Sequence, residues 1–307
     1  MKFDMSQEYS CQKARYHLPG LFEFYELYRR FLPLYASHRE YFYDWCTIGS
    51  VYGAPADCLW NGGRAGYGED DPEACLSLMR EYGIPARLTF SNSLLQEEHL
   101  SDGRCNRLCT LLEHDGTGKN GVIVHSELLL KYLREQYPGL QLISSTTKVI
   151  TDPEEFRREL DREEFACAVP DFRLNPDREL WNSLTLPERN KVEFLCNECC
   201  DFRCGERAHC YEAVSRMNLG EDAEHRCPYA KGREGYRFSR AMANPGFIGI
   251  PEILEYYLPA NYSNFKIEGR SLGSAVVLEF LLYYMVRPEY QLTVREEIYL
   301  DSMLDLF

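Results

Sequence analysis

One pattern constrains the fold of this chain more than any other: short apolar runs of strand character recur, and most are followed by a segment whose apolar residues keep helical spacing. The run Phe42 to Ile48 precedes the helical pattern Asp71 to Tyr82, and Ala86 to Ser91 precedes a helix near Asn106 to Glu113. Gly121 to His125 leads into Glu127 to Tyr137, and Leu140 to Ser145 into Pro153 to Leu160. Further strand candidates are Ala166 to Pro170, Lys191 to Leu195, Gly246 to Ile250 and Asn264 to Ile267, the last preceding the strongly apolar helix Leu272 to Met285. Strands that alternate with helices pair in parallel through right-handed crossovers, and about eight such units close a TIM-like (β/α)8 barrel. A competing open sheet requires a glycine-rich phosphate turn after its first strand, and Asn61-Gly62-Gly63-Arg64 lacks the GxGxxG spacing. The expected architecture is therefore an α/β barrel over residues 41–307. An N-terminal helical extension is expected over 1–40, where Phe22, Phe24, Tyr25, Tyr28 and Phe31 recur at helical spacing.

Lys and Arg number 34 against 48 Asp and Glu, a net charge of -14. A field of that sign repels phosphate backbones, which disfavours nucleic acid as a partner and leaves a small-molecule or peptide substrate. No apolar run approaches the ~20 residues of a membrane span, and the start MKFDMSQEYSCQ lacks the basic-then-apolar order of an export signal. A cytoplasmic protein with no membrane association is expected.

Thirteen cysteines in a reducing compartment need an explanation other than a disulfide framework. Seven are scattered and read as small buried hydrophobes. The other six, Cys196, Cys199, Cys200, Cys204, Cys210 and Cys227, fall within residues 196–227, a loop that starts where a late strand candidate ends. In a TIM barrel, reactive groups collect on such loops at the mouth. Thiolates are soft ligands for an iron-sulfur cluster or zinc, and short spacings let one loop wrap one metal centre. The paired CxxC spacings of a zinc ribbon are absent, so the irregular spacing leans towards a cluster, with zinc as the alternative. His209 and His225 are substitute ligands of lower rank.

The run Phe265-Lys266-Ile267-Glu268-Gly269-Arg270, at the end of the last strand candidate, resembles the FKIEGR signature of the collagenase-like peptidase U32 family. The resemblance follows the order of elements over most of the chain, with close matches in this run and in the Cys loop. It implies a TIM-like barrel, a 4Fe-4S cluster and a relationship to oxygen-independent hydroxylases of tRNA, ribosomal RNA or a quinone precursor, for which prephenate is a proposed oxygen donor. One branch of the family has a ligand pair separated by three residues, which Cys200 and Cys204 reproduce, and a ligand near the first strand, where Cys46 and Cys58 stand. The ligand set implied is Cys200, Cys204 and Cys227, with Cys196, Cys199, Cys210 or Cys46 as the fourth and Cys196 placed first. Independently of the resemblance, the chain contains no H-E-x-x-H, so the common zinc-peptidase constellation lacks support.

Other strand ends supply groups for a substrate. Lys148 follows one strand candidate, Asp171 and Arg173 another, Asn197 and Glu198 the next, and Glu268 and Arg270 the last. Arg270 and Lys148 are expected to clamp a carboxylate, Glu268 or Glu198 to act as a base if burial raises its pKa, and Asp171 to face the same mouth. A structural ion network at the barrel rim is the competing reading for Lys266, Glu268 and Arg270. The loop Tyr52 to Arg64 joins turn glycines to an amide and a guanidinium able to bind an anion, while Asn92, Asn106 and His125 rank lower. The leading expectation is an iron-sulfur, hydroxylase-like enzyme. The alternatives are a non-catalytic, metal-stabilised partner that forms a heterodimer with a related chain, and a metal-dependent peptidase.

Overall fold

Eight parallel strands form one sheet in the order β6-β5-β4-β3-β2-β1-β8-β7. They are β1 Ala14–Pro19, β2 Cys46–Gly53, β3 Ala86–Phe90, β4 Gly121–Val124, β5 Gln141–Ser144, β6 Cys167–Ala168, β7 Glu193–Leu195 and β8 Asn264–Lys266. A parallel bridge between Ala168 and Val192 joins β6 to the start of β7, so the sheet is a nearly closed TIM-like barrel. The computed structural model describes residues 12–55, 58–64, 71–114, 119–223, 225–229 and 237–304.

The helices are α1 Tyr25–Ser37, α2 Pro72–Glu81, α3 Gly103–Glu113, α4 Glu127–Gln136, α5 Pro153–Leu160, α6 Arg178–Ser183, α7 Leu186–Lys191, α8 Arg207–Asn218 and α9 Arg237–Met242. The short α10, Ile250–Glu252, precedes α11 Ser274–Met285 and α12 Gln291–Leu304. Asp71, Asp102, Ser126, Asp152 and Asp177 each accept a backbone N–H of the turn they open, which is why α2 to α6 begin where they do.

Strand alternation divides the residues between two cores. Tyr16, Leu88, Val122, Val124, Leu142, Phe194 and Phe265 face the helices and build the main core. Tyr52, Ile123, Ile143, Cys167, Val169 and Leu195 form a second, smaller cluster, with Phe172 and Cys200. A charged group is buried with them: Glu193 receives Arg87 Nη1 at 2.5 Å and Lys266 Nζ at 3.3 Å, and His17 Nε2 stands 3.5 Å away. Burial and the neighbouring Arg87 lower the His17 pKa to about 3, so that imidazole is neutral. Its Nδ1 lies 2.8 Å from the Ser50 hydroxyl.

Two expectations are corrected. The segment 1–40 is not a helical extension throughout, because β1 lies inside it and pairs with both β2 and β8; only α1 bears out the helical spacing, and residues 1–11 lie outside the described residues. The run 246–250 is not a strand: its Ile248 N–H donates to the Cys196 carbonyl without continuing a ladder, and α10 begins at Ile250. The missing strand and the surplus one cancel, which is why the expected count of about eight stands.

Candidate functional site

Alternation along the chain leaving β8 puts Phe265 and Ile267 in the main core and Lys266, Glu268 and Arg270 on the walls of a cavity at the barrel mouth. The cavity, of about 70 Å³, has an apolar floor of Tyr52, Ile123, Val169 and Leu195, and hydroxyls from Thr89, Ser91, Ser145, Thr146 and Thr147 on its wall. That volume admits a few waters or the reacting end of a small molecule.

Arg64 is the cation at its centre. Its Nη2 donates to Glu198 Oε2 at 2.9 Å and to Glu268 Oε1 at 3.0 Å, and its Nη1 donates to the Cys200 thiol at 3.2 Å. The approach depends on Gly62, where a Cβ would meet the Ser91 carbonyl oxygen at 2.1 Å, so the loop packs against the end of β3 as no larger residue could. Glu198 also receives Arg207 Nη1 at 2.5 Å and accepts the Cys200 N–H at 3.0 Å. Arg207 opens α8, where the helix dipole disfavours a cation; Glu198 and the fully buried Asp171, whose Oδ2 lies 3.1 Å from Arg207 Nε, offset that cost. Tyr211, one turn further on, lies beneath both guanidinium groups, at 5.2 Å from Arg207 and 5.6 Å from Arg64. Hydrogen bonds from Asn92 and Ser93 to Ser215 hold α8 in this position.

The two carboxyls differ because their surroundings differ. Burial acts to raise the Glu198 pKa, but Arg207 and Arg64 outweigh it and hold that carboxylate well below its usual range. Burial, reinforced by the neighbouring Glu198 charge, pushes Glu268 up to about 7. Its Oε2 is buried without a hydrogen-bond partner. Glu268 is thus able to hold or release a proton near neutrality. Lys266, lowered to about 8 chiefly by burial, stands 3.5 Å over the Tyr52 ring.

The other expected site residues fall in different places. Arg270 lines the cavity, but its nitrogens are engaged by Glu23 at 2.6 Å, Thr89 at 2.6 Å and the Ala54 carbonyl at 2.7 Å, so it ties three segments together. Lys148 ends a 3-10 turn and pairs with Glu159 at 2.5 Å and Glu127 at 3.4 Å in a separate groove on the rim. Asp171 caps the turn Phe172–Leu174 and pairs with Arg173 at 2.7 Å, reaching the site only through Arg207. Asn106 is structural, receiving the hydroxyls of Tyr132 and Tyr137. Arg207 and Tyr211 were absent from the sequence expectation. Their signal is the i, i+4 spacing of a cation and an aromatic ring after Cys204, within the Cys-rich segment.

The loop after β7 also divides its thiols. Glu193 and Leu195 face the barrel interior, so Cys196 faces outward into the main core, with its thiol directed to the Phe194 carbonyl at 3.5 Å. Cys199 packs in the same core. Cys46 opens β2 at the opposite end of the barrel, its thiol 3.3 Å from the Tyr43 carbonyl. Cys200 belongs to the interior cluster and touches Arg64, while Cys210, at the start of α8, lies within electrostatic reach of both Cys204 and Cys227. Among the described residues, no three His, Cys, Asp or Glu are already gathered at metal-ligand distance.

One solved structure shares the architecture: a chain described as the U32 peptidase Mk0906, 15% identical, with a TM-score of 0.51 over 88% of this chain and 96% of the other. At that identity the likeness shows a U32-like fold. No protein-family model and no curated protein matches the sequence. No helix among the described residues is long and apolar enough to cross a membrane.

Proposed function

We propose that this chain is a U32-like barrel enzyme that holds a 4Fe-4S cluster on Cys200, Cys204, Cys210 and Cys227 and modifies a small-molecule substrate at the mouth, by oxygen-independent hydroxylation. The observation that supports this reading most is Arg64, which contacts the Cys200 thiol and both acidic groups at once and so links the Cys loop to the Glu198–Glu268 pair. The donor set fits the group by type: Cys210 is an electrostatic neighbour of Cys204 and of Cys227, and all four are soft sulfur ligands on one stretch of chain. Cys210 takes the fourth place in preference to Cys196, whose thiol faces the main core.

A bound cluster supplies one-electron exchange at a potential set by its ligands and surroundings. The residues of the chain do the rest. Arg64 balances negative charge at the mouth, and Glu268 holds or takes up the proton at Oε2. Glu198 is kept ionised by Arg207 and fixes Arg64 in place, while Tyr52, Ile123 and Leu195 give the cavity an apolar floor. The same Glu268 would serve a peptidase as a general base on water, so assays for peptide cleavage belong beside those for hydroxylation.

Purification without oxygen, followed by iron and sulfide analysis and EPR, tests the reading. About four irons and four sulfides per chain, lost in Cys204→Ala and Cys210→Ala, are expected. Stoichiometric zinc without visible absorbance, or no metal in protein reconstituted with iron and sulfide, would overturn it.

A further inference from the structure

Cys58 and Cys105, forty-seven residues apart in sequence, meet in the interior with their sulfurs 2.9 Å apart. Both are buried, at 1% and 0% exposure. Cys58 belongs to the turn after β2, where its N–H donates to the Pro55 carbonyl and its own carbonyl accepts the Asn61 N–H. Cys105 lies in the first turn of α3, fixed by its N–H to Asp102 Oδ1 at 2.7 Å. Hydrogen bonds thus fix the backbone on both sides, and the two sulfurs lie nearer than unbonded sulfurs usually pack. Cys109 lies one turn along α3 from Cys105 and within electrostatic reach of Cys58.

We propose that Cys58 and Cys105 are a modification site: a thiol pair that a peroxide-class oxidant converts to a disulfide, tying the loop that carries Arg64 to α3. One thiol attacks hydrogen peroxide, forming an S–O bond as the O–O bond breaks, and one water leaves. The second sulfur attacks the resulting sulfenic sulfur, an S–S bond forms, and a second water carries away the oxygen and the remaining protons. Two thiols have lost two electrons and the peroxide has gained them. The second step is intramolecular between groups already in contact, which favours it over attack by an outside thiol. The consequence lies at the mouth, because residues 58–64 carry Asn61, whose amide oxygen accepts from the Gly63 N–H and from Arg270, and Arg64 itself. In the reduced chain this loop is joined to α3 by packing and hydrogen bonds; in the oxidised chain a covalent bond fixes it.

The test uses the folded full-length chain, reduced, freed of reductant, treated with hydrogen peroxide, then alkylated under denaturing conditions and mapped by mass spectrometry. Two fewer of the thirteen thiols should alkylate through this pair, with one linked species joining the tryptic peptides 40–64 and 105–107. Fragmentation places the link at Cys58 and not at Cys46. Cys58→Ser and Cys105→Ser should each abolish that species, and Cys109→Ser should leave it. Full alkylation of Cys58 and Cys105 after oxidation overturns the proposal, as does a link from Cys58 to Cys109 or to any other cysteine. Because the wild-type map decides the matter, a variant that fails to fold does not rescue it, and the result is independent of any metal bound by the late Cys loop.

Discussion

Glu198 and Glu268 share a single guanidinium nitrogen, Arg64 Nη2, at 2.9 and 3.0 Å. Two buried carboxyls on one cation do not ionise equally: Glu198, with Arg207 as a second partner, keeps its charge, and Glu268 is pushed up to about 7 by burial and by that charge. Its folded pKa therefore lies above its unfolded one. The stability this contributes is full below the ordinary carboxyl range and is lost as the pH rises through about 7. Glu268→Gln, uncharged throughout, should show a flatter urea midpoint between roughly pH 5 and 8, with a gain over wild type of order 1 to 3 kcal/mol at the alkaline end. Parallel curves for the two proteins would sink the assignment.

Arg207 is enclosed by Glu198, Asp171, Phe172 and Tyr211, and is 2% exposed. Replacing it with Met keeps the bulk but takes one of two cationic partners from each of two buried carboxylates, leaving Glu198 with Arg64 and Asp171 with Arg173, at a cost of about 2 to 4 kcal/mol. Arg207→Met combined with Glu198→Gln should recover part of that loss, because one under-compensated buried charge is removed. Denaturant unfolding of the single and double variants measures the difference. Strict additivity would mean that Arg207 stabilises the fold by packing alone.

The barrel was legible because β3, β4 and β5 keep short apolar runs before amphipathic helices, and Glu268 and Arg270 were legible because residues of one parity beyond a barrel strand converge on one mouth. β1 was not, since Arg15 and His17 interrupt its apolar face and a charged barrel interior does not read as a buried parallel strand. Gly246 to Ile250 misled for the opposite reason: its apolar residues pack in the core without a ladder. Composition also says nothing about direction. Six clustered cysteines look alike in sequence, yet the parity of β7 turns Cys196 away from the mouth while Cys200 meets Arg64. Lys148 stands after a strand as expected, but Glu159 on α5 holds it on the rim.

That parity separates two kinds of cysteine variant. Cys196→Ala removes a buried sulfur from the main core and should cost about 1 to 2 kcal/mol while leaving the iron content of anaerobically prepared protein unchanged. Cys204→Ala and Cys210→Ala should both lose iron, and Cys210→Ala should do so with a smaller change in the unfolding of the metal-free chain, since Cys210 is only partly buried. Iron analysis beside thermal unfolding distinguishes the two patterns. Loss of iron in Cys196→Ala at unchanged stability would reverse the assignment.

The charge cluster around Glu193 offers the last prediction. Arg87 and Lys266 both direct nitrogens at this one carboxylate, which is fully buried, and the neutral His17 cannot replace it. Burial acts to raise the Glu193 pKa, but the surrounding positive groups, Arg87 and Lys266 among them, overcome it and leave the carboxyl far below its ordinary range. For a depressed carboxyl, the stabilisation is present above the unfolded pKa and lost as the pH falls through the folded one. Glu193→Gln should therefore destabilise the barrel at neutral pH by about 3 to 5 kcal/mol, because two buried cations lose their counter-charge. The deficit should shrink below about pH 4, where the wild type begins to lose the same term. Lys266→Met placed on Glu193→Gln should restore part of the stability by removing one of the stranded cations. If the deficit of Glu193→Gln is as large at pH 3 as at pH 7, the cluster is held by shape and hydrogen bonding, and its charges contribute nothing to the fold.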